Sequence, residues 1–283
     1  MSPITSSCSS IEHCSNLENF LHSVTPIIKH DFVPVNDSKE VEAKSGLKNK
    51  EDIKLQDIWE VYDEWSSCGV GISVILESGE SIVQYYVPYL SAIQIFIKKS
   101  TSSTSSHHDD DDASTKSNDK NLKSDNSCCS GDHDHLYVQF YESCSPYLRV
   151  PFLDKIIELA QSYPGLLTFC INDISPASWM SIAWYPIYRI PASINSTKEL
   201  CTCFLTFHAL SCSFQDNNEE GDRESGQVLD LVPFGLATYK MQSHVWNNRD
   251  KGDDEKIKEL ESAASSWLKQ LHIQHHDFIF FTQ

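Results

Sequence analysis

Apolar positions recur along this chain with two different periods, and the switches between them outline a fold. Ser15-Asn16-Leu17-Glu18 has the form of a capping box, and Leu17, Phe20, Leu21 and Val24 follow it at helical spacing until Pro26. Leu55, Ile58, Trp59, Tyr62 and Trp65 make a longer helical stripe, with Asp57, Glu60, Asp63 and Glu64 mostly off it; Gly69 or Gly71 ends it. Then the period changes. The runs 72–76 and 82–87 flank Ser78-Gly79-Glu80 and read as a β-hairpin. Pro88 interrupts the second run and 89–97 resumes it, which requires a bulge, an edge or a strand switch there.

The pattern continues with a strand at 136–141 and a helix opened by Pro151 that carries Phe152, Ile156, Ile157, Leu159 and Ala160. Strands are expected at 166–171, at 179–190 with Pro186 inside it, at 200–210 and at 234–241. Asp253 opens a helix in which Ile257, Leu260, Ala264, Trp267, Leu268 and Leu271 face one way, and 278–281 reads as a terminal strand. This order is no regular βαβ alternation. It predicts an α+β fold, a largely antiparallel central β-sheet packed with a few helices. The strands at 182–190 and 203–210 carry apolar residues at both parities, so they belong in the middle of the sheet with both faces covered.

Two stretches lack the apolar residues that would offset ordering entropy, and both read as disordered insertions: 100–135 and 213–228. The expected organisation is a disordered tail at 1–14 and a single α+β domain at 15–283. The insertions also carry much of the charge. Residues 100–135 hold eight Asp against three Lys, and 213–230 hold six acids against one Arg, together −10 of the formal net charge of −18. Acidity of this kind repels phosphate backbones, so nucleic acid and anionic membranes are poor partners. No apolar run reaches the length of a membrane span. The first thirty residues have no signal-peptide core, so the expected compartment is intracellular, cytoplasm or nucleus, where the ten Cys stay reduced.

Two tyrosine-rich motifs, Tyr85-Tyr86-Val87-Pro88-Tyr89-Leu90-Ser91 and Trp184-Tyr185-Pro186-Ile187-Tyr188-Arg189-Ile190-Pro191, resemble the plant domain-of-unknown-function family numbered 789. Segments 17–26, 58–71, 203–210, 234–240 and 267–278 support the resemblance, which spans 15–283 apart from the two insertions. It implies a plant protein and implies no activity. The family tends to carry His-Pro-Asp-Phe near its end, where this chain has His276 in place of the proline.

The same motifs supply the binding candidates. Each puts a proline inside a Tyr-rich strand, where the sheet must open, bend or end. If the two breaks adjoin, Tyr86, Tyr89, Tyr185 and Tyr188 would line a cleft in which the planar fork of Arg189 holds a carboxylate or phosphate. The competing reading pairs Arg189 with Asp173 or Glu142 to pin the sheet. His208 with Ser181 and Asp173 has triad composition, but no Gly-x-Ser-x-Gly elbow accompanies it, and a satisfied core or strand histidine is the simpler account. Cys128-Cys129 with His133 and His135, His107-His108 with Asp109–Asp112, and Cys201-x-Cys203 lack metal-ligand spacing. No catalytic residue, metal or cofactor is therefore assigned. The expected function is a non-enzymatic protein-interaction or ligand-binding module, its partner a protein and, failing that, a small molecule. The alternative is a small hydrolase or transferase with its site at the Tyr-Pro breaks, near Tyr86, Tyr185, Arg189 and His208.

Overall fold

The computed structural model describes residues 14–29, 53–98, 134–187, 200–210, 228–241, 244–248 and 252–283. Most of both polar insertions, together with Tyr188 and Arg189, lies outside them. Helix α1 (Asn16–Ser23) begins at the capping box: Ser15 Oγ accepts from Glu18 N, and Glu18 takes the amide of Ser15. Helix α2 (Leu55–Cys68) stops at Gly69, whose φ of 78° and close approach to Tyr86 O admit only glycine. Strand β1 (Ile27–Lys29) falls between these helices.

Strands β2 (Val70–Ile75) and β3 (Ser81–Ile97) form the expected hairpin, and β3 runs unbroken through Pro88 for 17 residues. Its first half pairs with β2 up to Val70↔Tyr86. Its second half pairs on that same edge with β4 (His135–Tyr141), starting at Ala92↔Tyr141. Strand β5 (Trp179–Pro186) lines its other edge. Tyr85 O accepts from Ile187 N, so the backbone groups of 85, 87 and 89 face β5, and those of 86 and 88 face away. The donor missing from Pro88 therefore falls in the gap between β2 and β4: the proline marks a strand switch. The bulge lies further on, at Ser91, where the register shifts between Leu90 and Ala92. Pro186 sits beyond Trp184↔Phe204, the last β5–β6 pair on that side, where its missing donor is again harmless. The two Tyr-Pro breaks are neighbours, with Val87 opposite Tyr185 and Pro88 opposite Trp184.

Strands β6 (Cys203–Ala209) and β8 (Gly235–Tyr239) complete a six-stranded antiparallel sheet, while β7 (Val228–Asp230) pairs with β1 in a separate two-stranded sheet that the pattern did not predict. Strands β5 and β6 are buried along almost their whole length, as central strands with two covered faces must be. One face of the sheet (Met180, Ile182, Trp184, Phe204, Tyr86) packs under α1, α2, α3 (Phe152–Ala160) and α4 (Gly165–Thr168). The opposite face (Trp179, Ala183, Leu205, Phe207) packs under α5 (Asp253–Gln270) and α6 (His276–Phe281). This is an α+β fold of three layers.

Two expected strands are helical instead. Residues 166–171 form α4 and a 3-10 turn; Leu166 is buried against α2, whose Trp59 Nε1 donates to Leu166 O at 2.6 Å. Residues 278–281 belong to α6. Four consecutive apolar residues fit either period, and the choice is made by His275, whose Nδ1 accepts from Phe278 N and caps the helix.

Candidate functional site

The sequence-derived candidates divide between the two faces of the sheet. Tyr86 is fully buried on the α1–α2 face, its ring edge-on to Phe20 and Trp246 and its hydroxyl donating to Thr202 O at 3.1 Å. His208 lies on that face too. Its Nδ1 donates to Leu231 O at 2.7 Å, and its Nε2 accepts from Thr206 Oγ1 at 2.8 Å, while Trp184 Nε1 donates to the same hydroxyl. Burial lowers its pKa to about 4, so the imidazole is neutral and fully bonded. Tyr89 and Tyr185 lie on the opposite face, where their rings meet edge-on at 5.7 Å. The structure thus brings Tyr89 and Tyr185 together and separates them from Tyr86 and His208 by the thickness of the sheet. Tyr188 and Arg189 fall outside the described residues. Ser181, imagined with His208, is also on the α5–α6 face, turned away from it.

On that face lies a cluster assembled from residues far apart in the sequence. The bulge at Ser91 turns its side chain towards α6, where Oγ donates to Asp277 Oδ2 at 2.5 Å. Arg149 comes from the connection between β4 and α3. Its Nη1 and Nη2 donate to both oxygens of Asp277, each at 2.7 Å, and both side chains are only 2% exposed. Nε and Nη2 also donate to Cys144 O at 2.9 and 2.8 Å, and the guanidinium lies 5.9 Å from the ring centroid of Tyr185. Burial pushes the Asp277 carboxyl up, but the fork of Arg149 and the hydroxyl of Ser91 outweigh it and hold the pKa below the usual carboxylate value. Burial likewise pushes the Tyr185 phenol up, keeping it neutral.

Next to the pair, His275 Nε2 lies 2.8 Å from Ser181 Oγ. This resembles a nucleophile and its base, but the proton is on the wrong atom. Nδ1 accepts from the backbone of Phe278, so in the neutral ring Nε2 carries the hydrogen and donates it to the serine. Burial lowers the pKa to about 4, which maintains the neutral form. A serine activated by histidine needs the reverse direction. His276 occupies the first position of α6, where proline is favoured because no amide donor is needed, so the departure from the family's His-Pro-Asp-Phe leaves this corner intact.

What the cluster does structurally is fix a turn. Glu142 is buried and accepts from the amides of Ser143 and Cys144 at 2.9 and 2.8 Å, while its own amide donates to Ser91 O. Arg149 clamps the carbonyl of Cys144. Between them a 3-10 turn (Pro146–Leu148) is closed by Leu148 N to Ser145 O. The turn holds Tyr147 98% and Leu148 76% exposed. Elsewhere, a cavity of about 220 Å³ lies between the start of α1 and the β2–β3 hairpin, lined by Ser15, Asn16, Ile75, Glu77 and His244, among others. It is smaller than the few hundred Å³ usual for a ligand pocket, roughly 300 or more.

Compared with known proteins, residues 15–281 match the family model described as protein of unknown function, DUF789, and the chain belongs to that family. No curated protein and no solved structure matches it. Among the described residues, no helix is long and apolar enough to cross a membrane.

The buried partners of the turn left little trace in the sequence. Arg149 and Asp277 stand 128 positions apart, beyond the reach of any spacing rule. The local signal was His275-His276-Asp277 ahead of an apolar run: read as a helix start, it would have placed a carboxylate at a helix N-terminus, where it is stabilised.

Proposed function

We propose that the chain is a non-catalytic, intracellular protein-interaction module whose recognition element is the turn at 144–150. The observation that carries this reading is the pairing of an exposed apolar tip, Tyr147 and Leu148, with a buried, hydrogen-bonded root, Arg149 on Asp277. A buried ion pair adds little net stability over apolar side chains of the same volume, so its value is in conformation. Exposed apolar residues on an ordered turn lose less freedom on binding than the same residues on a loose loop, and tyrosine is enriched among the residues that dominate interface energy. The direction of the His275–Ser181 hydrogen bond weighs against the hydrolase alternative.

The test is affinity capture from native extract with the full chain and with Tyr147→Ser/Leu148→Ser. Because both side chains are in solvent, the variant should melt with the parent. The expected result is loss of specific partners from the captured set. An identical set, at equal melting temperature, would remove the turn as the recognition element.

A further inference from the structure

The anchored turn continues directly into α3, and α3 lies along α2. Phe152 stacks on Tyr62 with ring centroids 4.2 Å apart, and Leu153 N donates to Ser66 Oγ at 3.1 Å. Helical phase then decides what borders this seam. Trp59, Tyr62 and Ser66 turn towards α3, so Glu60 and Asp63, each one residue and roughly 100° further round, form the outer rim of α2 on that side, with Glu64 behind them. On α3, Ile157 lies one turn after Leu153 and is 48% exposed, flanked by Asp154 and Glu158. Val150, in the chain between the turn and α3, is 38% exposed. Leu148, Val150 and Ile157 are thus exposed apolar side chains of the turn and α3, and five exposed acids lie on α2 and α3. Lys155, the lysine of this helix, donates to Glu158 at 2.6 Å and sits 5.5 Å over the ring of Phe140.

We propose that Leu148, Val150 and Ile157 make one apolar stripe that docks a basic, amphipathic segment of a partner protein, its apolar side chains on these three residues and its lysines or arginines on the acidic rim. The proposal rests on the binding-module reading and names the chemistry of the partner. Charge complementarity selects the occupant. A second copy of this chain would set acidic rim against acidic rim, and a phosphate backbone would be repelled by the same carboxylates. A cationic helix with one apolar face satisfies both halves of the surface at once.

The probe is a synthetic peptide of leucine and lysine at helical spacing, titrated against the full chain by fluorescence anisotropy. Its controls are a scrambled isomer of the same composition and a leucine–glutamate counterpart. The expected result is saturable binding of the first peptide, with the scrambled isomer weaker by about tenfold or more and no binding of the acidic one. Leu148→Ser/Ile157→Ser and Glu60→Lys/Asp63→Lys should each weaken binding by about tenfold. Reversal of two exposed acids on the other side of the molecule, Glu255→Lys/Glu259→Lys on α5, should change it by less than about twofold. Equal binding of the scrambled isomer, an equal loss on reversal in α5, or no binding of any peptide overturns the proposal. If partner capture depends on Tyr147 and Leu148 but ignores reversal at Glu60 and Asp63, the module reading stands and the basic partner falls. If capture ignores Tyr147 and Leu148 while the peptide binds as described, the turn falls and the α2–α3 surface stands.

Discussion

At Asp277 and its neighbours, the cost of burying charge is offset by the bidentate pair with Arg149 and the hydrogen bonds around it. Removing one partner is then far worse than removing both, because the other charge is left in a dry site. Asp277→Asn leaves Arg149 without its counter-charge and should destabilise the fold by about 3–5 kcal/mol, read from the midpoint of urea unfolding. A loss below about 1 kcal/mol would mean that water reaches the guanidinium. The same residues predict an acid limb. The folded pKa of Asp277 lies below its unfolded value, so its contribution is present above that value and is lost as pH falls through the folded pKa. His208 and His275 act at higher pH. Their folded values of about 4 lie below the ordinary 6.5, so the unfolded chain takes up protons first and stability declines between those limits. With both rings titrating, the slope approaches about 2.7 kcal/mol per pH unit in that window, and His208→Gln, which keeps a donor and an acceptor, should reduce it by about half. A flat stability profile between pH 6.5 and 4.5 would contradict neutral burial of the two rings.

Among the elements, close approach matters as much as capping. A Cβ on Gly235 would stand 2.8 Å from that of Ala264, so β8 and α5 touch through a position where only hydrogen fits. Gly235→Ala should cost about 1–3 kcal/mol by calorimetry, with part of the loss recovered by adding Ala264→Gly. No recovery would place the strain in the strand itself. Elements of this kind were legible where periodicity ran long: α1 with its capping box, the stripe of α2, the hairpin and the two-sided burial of β5 and β6 all follow from the pattern. The failures share a cause. At 166–171 and 278–281 the apolar runs are too short to reveal a period, and tertiary partners, Trp59 in one case and the cap from His275 in the other, decide for helix. The β1–β7 pair joins three-residue strands, and their register depends on contacts that a linear reading does not contain. Pro88 carried more information than its ambiguity suggested, since a strand that exchanges β2 for β4 has one unpaired stretch in which a missing donor does no harm.

Across the whole molecule, the sheet works as a partition. It places Tyr86 and His208 in one closed layer and Tyr185, Ser91 and Asp277 in the other, so residues that looked like one site in the sequence are divided, and residues from β3, the β4–α3 connection and α6 are united. If the exposed turn is the recognition element proposed above, the Arg149–Asp277 pair serves to hold it in shape, with global stability secondary. Amide hydrogen exchange on the variant Ser91→Ala/Arg149→Met/Asp277→Leu, in which the anchor is replaced by side chains without charge, tests it directly. The amides of Leu148 and Arg149 should lose protection by about tenfold or more while those of β5 and β6 exchange as in the parent. Unchanged protection in the turn, or an equal loss throughout the sheet, would contradict it.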